Sequence, residues 1–322
     1  MLLGATGFVG SAICRRIGNA GQRIEARALV RGDLARLASP HIVSVLGQLG
    51  EVPRELFPAE PYVVIHFATR QVDSDGTGFA KVNVEGTRSL LQSLTPGCMG
   101  VLYGSSLSVY GQGPQEGHDE DAPLCPETAL AQSRVEAERL ILEEAERRGW
   151  SVFLLRPRFV LGQGDRSTLP GIYKLLRRGI GIGTGKQAYT IVDVDDYAAM
   201  LLRLAERVAV RAAEERPCRS ALHVGYAQPV TFDDMVSVLA ERFSLSAPRL
   251  RVPVGAGFCR FLRRGPSRSL QSLATKLELL GLPHHVCTDR LAQELGEPYG
   301  IVQRDPMVVL RRAADLLYRE AQ

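Results

Sequence analysis

The first ten residues constrain this chain more tightly than any other stretch. Met1-Leu2-Leu3 reads as the end of an apolar strand, Gly4-Ala5-Thr6-Gly7-Phe8-Val9-Gly10 follows directly, and residues 8–18 place apolar side chains at helical spacing. Small residues in such a turn let the backbone approach a pyrophosphate, whose charge the helix N-terminus stabilises. The spacing is GxxGxxG, not the commoner GxGxxG, and a tight turn without a ligand can use the same glycines. Its place between strand and helix favours a nucleotide site. With only two leucines between Met1 and Gly4, strand 1 is shorter than the mean of ~5 to 6 residues. Either the natural start lies upstream or a central strand begins with almost no overhang.

Strand-like and helix-like runs then alternate. Residues 26–30 (ARALV) and 62–67 (YVVIHF) read as strands, the second a near-continuous apolar run suited to burial on both faces. Residues 79–94 and 127–148 read as helices. Val101 to Tyr103 lead a strand into a serine-rich turn, and Ser151 to Leu155 begin a further strand. This is the rhythm of βαβ units around a parallel sheet. After about residue 165 glycine becomes frequent and connections lengthen. Residues 231–243 form a short helix that Thr231 can cap and whose start Asp233 and Asp234 suit. The expected fold is therefore α/β: a Rossmann-type doubly wound parallel sheet over residues 1–165. A smaller C-terminal substrate lobe is expected over 166–322, with a strand or helix at about 185–205 returning to the first domain.

Of 322 residues, 45% are hydrophobic and 23% charged, so a sizeable core is available without disulfides or metal. Six cysteines are scattered without a CxxC pair, which suggests free thiols in a reducing compartment. No apolar run approaches the ~18 residues of a membrane span, and no signal peptide opens the chain. A cytoplasmic location is the expectation. The net charge is +4, and lysine occurs only at 81, 174, 186 and 276. No basic run alternates with aromatics, so nucleic acid is not an expected partner. His284-His285 has poor ligand spacing, and no metal site is expected.

The second strand ends at Val30-Arg31, twenty-one residues beyond Gly10. A dinucleotide site often carries an acid near this point to hold the ribose 2′-OH, whereas a basic residue suits a 2′-phosphate. Arg31 thus favours NADP over NAD, although Asp33 lies two residues on and Arg31 can equally be a plain surface arginine.

At this point the residues resemble the extended short-chain dehydrogenase/reductase superfamily, in its NAD-dependent epimerase/dehydratase and 3β-hydroxysteroid-dehydrogenase-like branch. Beyond the GATGFVG turn, Ile65-His66-Phe67-Ala68 resembles the strand-4 motif. Asn83 to Thr87 matches NVxGT, and Ser105 to Gly111 matches SSxxVYG. Leu155 to Gly162 resembles LRPxxVYG, and Ile191 to Asp196 resembles the later V-x-V-x-D strand. The resemblance implies cofactor contacts from Gly4, Thr6, Gly7, Phe8, Val9, Gly10, Arg31, Phe67, Ala68, Thr69, Asn83, Arg134 and Pro157. Substrate contacts are expected from Arg70, Ser106, Leu107, Leu130 and Tyr173. A homodimer built on the helices at 79–94 and 127–148 is common in proteins of this kind.

The catalytic helix departs from the pattern. The family's YxxSK is represented by Leu130-Ala131-Gln132-Ser133-Arg134, with Ser133 and Glu138 fixing the register. Leu130 has no proton to give where the acid/base tyrosine belongs, and loss of a positioned acid/base typically costs ~10² to 10⁴ in rate. Arg134 keeps the lysine's charge and can still hold ribose hydroxyls, but its pKa is too high for proton relay. Ser106 keeps the substrate-orienting hydroxyl. Tyr110, Tyr103 and Tyr173 are alternative phenols, Tyr110 with a ready packing role in its turn, and the catalytic candidates are Ser106, Arg134 and Tyr110. His66 reads as a core histidine, and Arg70 as an anion contact or a solvent-facing side chain. The glycines of RGIGIGTGK (178–186) read as a hairpin, and residues 258–268 as a basic helix beside the cleft.

Two functions stand open. One is an NAD(P)-dependent reductase, epimerase or dehydratase with a rearranged acid/base, or a non-redox variant such as a cyclase, acting on a small molecule. The other is an NADP(H)-binding sensor or scaffold without catalysis.

Overall fold

The computed structural model describes residues 1–19, 24–32, 37, 39–73, 77–265, 267–296 and 300–321; Asp33 lies outside them. Seven strands form the central sheet: β1 (Leu2–Leu3), β2 (Ala26–Val30), β3 (Ile42–Leu46), β4 (Tyr62–His66), β5 (Cys98–Gly104), β6 (Ser151–Pro157) and β7 (Arg219–Val224). Their order is β7-β6-β5-β4-β1-β2-β3, and every pairing is parallel. The winding reverses between β1 and β4. In open sheets of this kind the ligand crevice lies at that switch point, beyond the carboxyl ends of the strands.

Helices cover both faces, as the apolar runs of β4 and β5 require. On one face α1 (Phe8–Asn19) packs against α4 (Val194–Ala213), with Ile13, Ile17, Met200 and Leu204 in the core. On the other lie α2 (Gly86–Ser93) and α3 (Ala129–Arg148), whose Leu90, Leu91, Leu140 and Ile141 meet Tyr103 and Val152 of the sheet. A π-helical stretch, Ala80–Glu85, runs straight into α2. The sequence of α3 explains its bounds. The Thr128 hydroxyl accepts the Ala131 N–H at 3.1 Å, and Gly149, at φ 70°, ends the helix in the left-handed region. Ala137, Leu140, Ile141 and Ala145 form its buried stripe.

The second half also contributes to the central layers. Ile191–Asp193 pairs in parallel with Phe159–Leu161, α4 crosses α1, and β7 forms the sheet edge beside β6. Outside those layers, short strands at 115–118, 188–189, 230–231 and 284–286 make a second, mixed sheet. The helix pair α5 (Ala256–Arg263) and α6 (Arg268–Gly281) packs together and contributes to the cleft wall through Arg263, Thr275 and Leu279. The expected glycine-rich hairpin is absent. Ile180–Ile182 instead pairs in parallel with Leu250–Val252. The turn after it is held against other chain: a Cβ on Gly185 would lie 2.2 Å from the Asp233 carboxylate.

Candidate active site

The glycine turn joins the carboxyl end of β1 to α1 and lies against the end of β4. Gly4 adopts φ +87°, and a Cβ there would come within 2.6 Å of the Phe67 carbonyl carbon. A Cβ on Gly10 would sit 2.0 Å from the Gly4 carbonyl oxygen, which already accepts the Gly7 N–H at 3.0 Å. Gly7 differs. Its Cβ would meet only that oxygen, at 3.2 Å, with nothing else within 4 Å. A side chain at Gly7 would therefore project into open cleft. The first-turn amides of α1 lack intrahelical acceptors there, the arrangement that binds phosphate. A pyrophosphate fits this cradle.

The cleft beyond the strand ends has a volume of about 720 Å³, within the size range of ligand sites. Gly4, Gly7, Phe8, Val9 and Gly10 line it from one side, Phe67 and Thr69 from the end of β4, and Ser106, Leu130, Arg134 and Pro157 from the other. These eleven expected contacts converge on one space. Leu130 faces it from the first turn of α3 and brings only methyl groups. Ser106 caps the short helical turn Leu107–Tyr110, its oxygen accepting the Ser108 N–H at 3.2 Å, which leaves its O–H free to donate.

Arg134, 7% exposed, donates from Nη1 to the Ser108 hydroxyl at 3.2 Å, and its Nε has no partner. Burial holds its pKa below the usual arginine value. Three groups that sequence reading missed share the cleft: Ser108, Arg158 and Tyr197. Arg158 follows the proline at the end of β6, where strand ends face the crevice, and that position was the available signal. Its Nη2 lies 3.2 Å from His284 Nε2, which also lies 3.3 Å from the Glu278 carbonyl oxygen, and its Nε has no partner. Burial, reinforced by Arg134, brings its pKa down to about 10. Tyr197 packs edge-on to Phe67 with ring centroids 5.8 Å apart, and its buried hydroxyl has no partner.

Several expected contacts lie elsewhere. Asn83 is fully buried behind the loop that follows β4: its Oδ1 accepts the Arg70 N–H at 2.7 Å, and its Nδ2 donates to the Arg70 carbonyl and the Ser133 hydroxyl at 3.1 and 2.9 Å. It positions the cleft wall instead of lining it. Arg70 points outward and pairs with Asp73 at 2.6 Å. Leu107 is buried in a small apolar cluster with Val109 and Val286. Ala68 packs into the core under β4, while Thr6 and Arg31 are exposed outside the cleft lining.

The two phenols are corrections. Tyr173 stacks on Phe243 with centroids 4.2 Å apart, away from the cleft. Tyr110 is a buried anchor, its ring packed in the turn and its hydroxyl held by Arg156 Nη1 at 2.6 Å and His223 Nε2 at 2.8 Å. His223 Nδ1 donates to the Cys287 carbonyl at 3.0 Å, so Nε2 accepts the tyrosine proton. Arg156 is clamped bidentately by Glu138, at 3.1 and 2.6 Å. A phenol so engaged does not reach a ligand. His66, also buried, bonds the Thr87 hydroxyl at 3.0 Å and is a core residue.

A parallel sheet wound in this order, with a glycine cradle at the switch point, defines a dinucleotide-binding protein of the Rossmann class. Comparison with known proteins narrows this. The model of the NAD dependent epimerase/dehydratase family matches residues 1–216, and the chain belongs to that family. It is 26% identical over 182 residues to an Arabidopsis thaliana 3beta-hydroxysteroid-dehydrogenase/decarboxylase, isoform 1, covering 53% of this chain and 41% of that protein. It is 25% identical to the sterol demethylase protein B of Methylococcus capsulatus, covering 79% of this chain and 77% of that one. The chain spans about half or less of the length of the first curated relatives it matches. Among solved structures, a Streptomyces venezuelae dTDP-glucose 4,6-dehydratase with NAD bound superposes with a TM-score of 0.72 at 21% identity, over 99% of this chain and 96% of that one.

Proposed function

We propose that this protein is an NAD(P)-dependent enzyme of reductase, epimerase or dehydratase type, acting on an alcohol or carbonyl of a small molecule without a tyrosine acid. The observation that carries the reading is the convergence of the glycine cradle, Ser106 and the Arg134 cation on one cleft, with Leu130 facing the same space.

In that reading Gly4, Gly7, Gly10 and the α1 amides hold the cofactor pyrophosphate, and Arg134 holds the nicotinamide ribose hydroxyls. The cofactor, when bound, supplies hydride transfer. Ser106 donates its free O–H to the substrate oxygen and orients it. With Leu130 in the first turn of α3, the proton exchanged at that oxygen comes from water that enters the cleft. Arg31, exposed at the end of β2, favours a 2′-phosphate and hence NADP.

The test is a turnover assay with NADPH against ketone, sterol and nucleotide-sugar substrates. Wild type is expected to turn over slowly, Ser106→Ala to lose most of that rate, and Leu130→Tyr with Arg134→Lys to gain ~10²-fold or more. A second reading, a cofactor-binding sensor or scaffold, is favoured by the apolar face of Leu130. Cofactor binding with no turnover in wild type, and activity only in the double variant, would establish that reading instead.

A further inference from the structure

The cleft holds two cations that no carboxylate neutralises. Arg134 and Arg158 both line it, and neither forms an ion pair among the described residues. Each keeps an Nε–H with no acceptor. The acids that share the cleft are already engaged: Glu278 by Arg263 and the Gly113 N–H, Glu127 by the Gln112 N–H. Glu138, one turn along α3 from Arg134, is taken by Arg156. His284, beside Arg158, brings no counter-charge, because burial keeps that imidazole neutral. Buried charges are ordinarily paired. Two guanidiniums sharing one cleft without an ion-pair partner are arranged for an anion that arrives from outside.

That anion is not the cofactor pyrophosphate. The glycine cradle lies at the end of β1 and Arg158 just past the end of β6, three positions along the order β1-β4-β5-β6. At ~4.8 Å per strand the two ends are about 14 Å apart. Arg134 is tied to the same turn as Ser106 through Ser108. The second anion therefore lies beside the group that Ser106 would hold.

We propose that Arg158, backed by the charge of Arg134 whose guanidinium also faces the nicotinamide ribose, forms an oxyanion subsite, and that the substrate carries a carboxylate or phosphate which binds there within reach of Ser106. This deepens the proposed enzymatic reading and rests on it for the word substrate; the anion site itself does not depend on cofactor chemistry.

The experiment uses the whole chain in chloride buffer at constant ionic strength, with butyrate and inorganic phosphate as separate probes. Melting temperature is followed for wild type and Arg158→Met, since a ligand of the folded state raises it saturably. Wild type is expected to gain several degrees with one or both probes. Arg158→Met is expected to melt higher than wild type without a probe, one repelling cation having been removed, and to gain nothing from either. The stronger arm identifies carboxylate or phosphate. Should Arg158→Met not fold, modification of wild type by phenylglyoxal, mapped by mass spectrometry, gives the same answer: the probe slows reaction at Arg134 and Arg158 several-fold and leaves the exposed Arg216 unchanged. Equal probe response in wild type and variant, or no protection of either arginine, overturns the subsite. NADPH binding is measured alongside, and its failure with anion binding intact removes the enzymatic reading but not the site.

Discussion

At the scale of single residues, the proposed chemistry turns on position 130 and the proposed choice of NADP on position 31. Leu130 faces the cleft where the resemblance places a phenol, and the tyrosines nearest to hand do not take over openly. Tyr110 is consumed by Arg156 and His223, and burial raises the pKa of the Tyr103 and Tyr197 hydroxyls against the opposing charge of Arg134. Arg31 is exposed at the end of β2. Arg31→Asp is expected to weaken NADPH binding about tenfold or more, the worth of one charged hydrogen bond at ~1.5 to 3 kcal/mol, and to spare NADH. Fluorescence titration with both cofactors checks this; an unchanged ratio of affinities would remove Arg31 from the cofactor site. Glycines and Ser106 were legible because a turn between strand and helix admits few residue types. Arg158 and Tyr197 were not: nothing in the local sequence says that two separate segments turn these side chains into one cleft.

Among the elements, the clamp made by Asn83 matters most. One side chain fixes the loop after β4 by both backbone groups of Arg70 and reaches Ser133 on α3, whose hydroxyl in turn donates to the Leu130 carbonyl at 2.8 Å. Asn83→Ala leaves the Arg70 N–H, the Arg70 carbonyl and the Ser133 hydroxyl without this partner. At ~1 kcal/mol or more each, the expected loss is about 3 kcal/mol, read as a fall in the urea midpoint at unchanged slope. A loss below ~1 kcal/mol would show that the loop does not depend on this clamp. The NVxGT motif was visible in the sequence, but its asparagine was assigned to the cofactor because a motif names a residue without saying which way it faces. Elements with strong patterns, such as β4 and α3, were legible from end to end. β3 was missed because an edge strand with Val43 and Leu46 exposed lacks clean alternation. β7 was missed because RSALHV is buried only over its last three residues. The glycine run misled because period-two glycines fit a hairpin or a strand paired in parallel equally well.

For the molecule as a whole, buried histidines contribute to the dependence of stability on pH, His66 and His223 among them with His284. Burial lowers the pKa of His66 to about 4 and, with neighbouring arginines, that of His223 to about 4, against 6.5 when unfolded. His66 and His223 are both neutral in the fold. Above pH 6.5 neither state binds the proton and no contribution arises; between 6.5 and about 4 the unfolded chain binds more protons, so stability falls as pH falls. Each group accounts for on the order of 3 kcal/mol across that window. Urea unfolding from pH 7 to 4.5 is expected to show a steep loss, and His66→Gln, which keeps a partner for Thr87, a shallower one. Parallel curves for the two proteins would remove His66 as a source.

The account centres on the proposal that the glycine cradle binds a cofactor although Leu130 stands where the resemblance places the proton donor. Calorimetric titration of wild type and Gly7→Val with NADPH tests it most directly, because the added Cβ meets protein only at the Gly4 carbonyl oxygen, 3.2 Å away, and the side chain otherwise enters the cleft. The expected result is one site per chain in wild type, and loss of binding in Gly7→Val at an unchanged melting temperature. Absence of NADPH and NADH binding in wild type, or equal binding in both proteins, would contradict it.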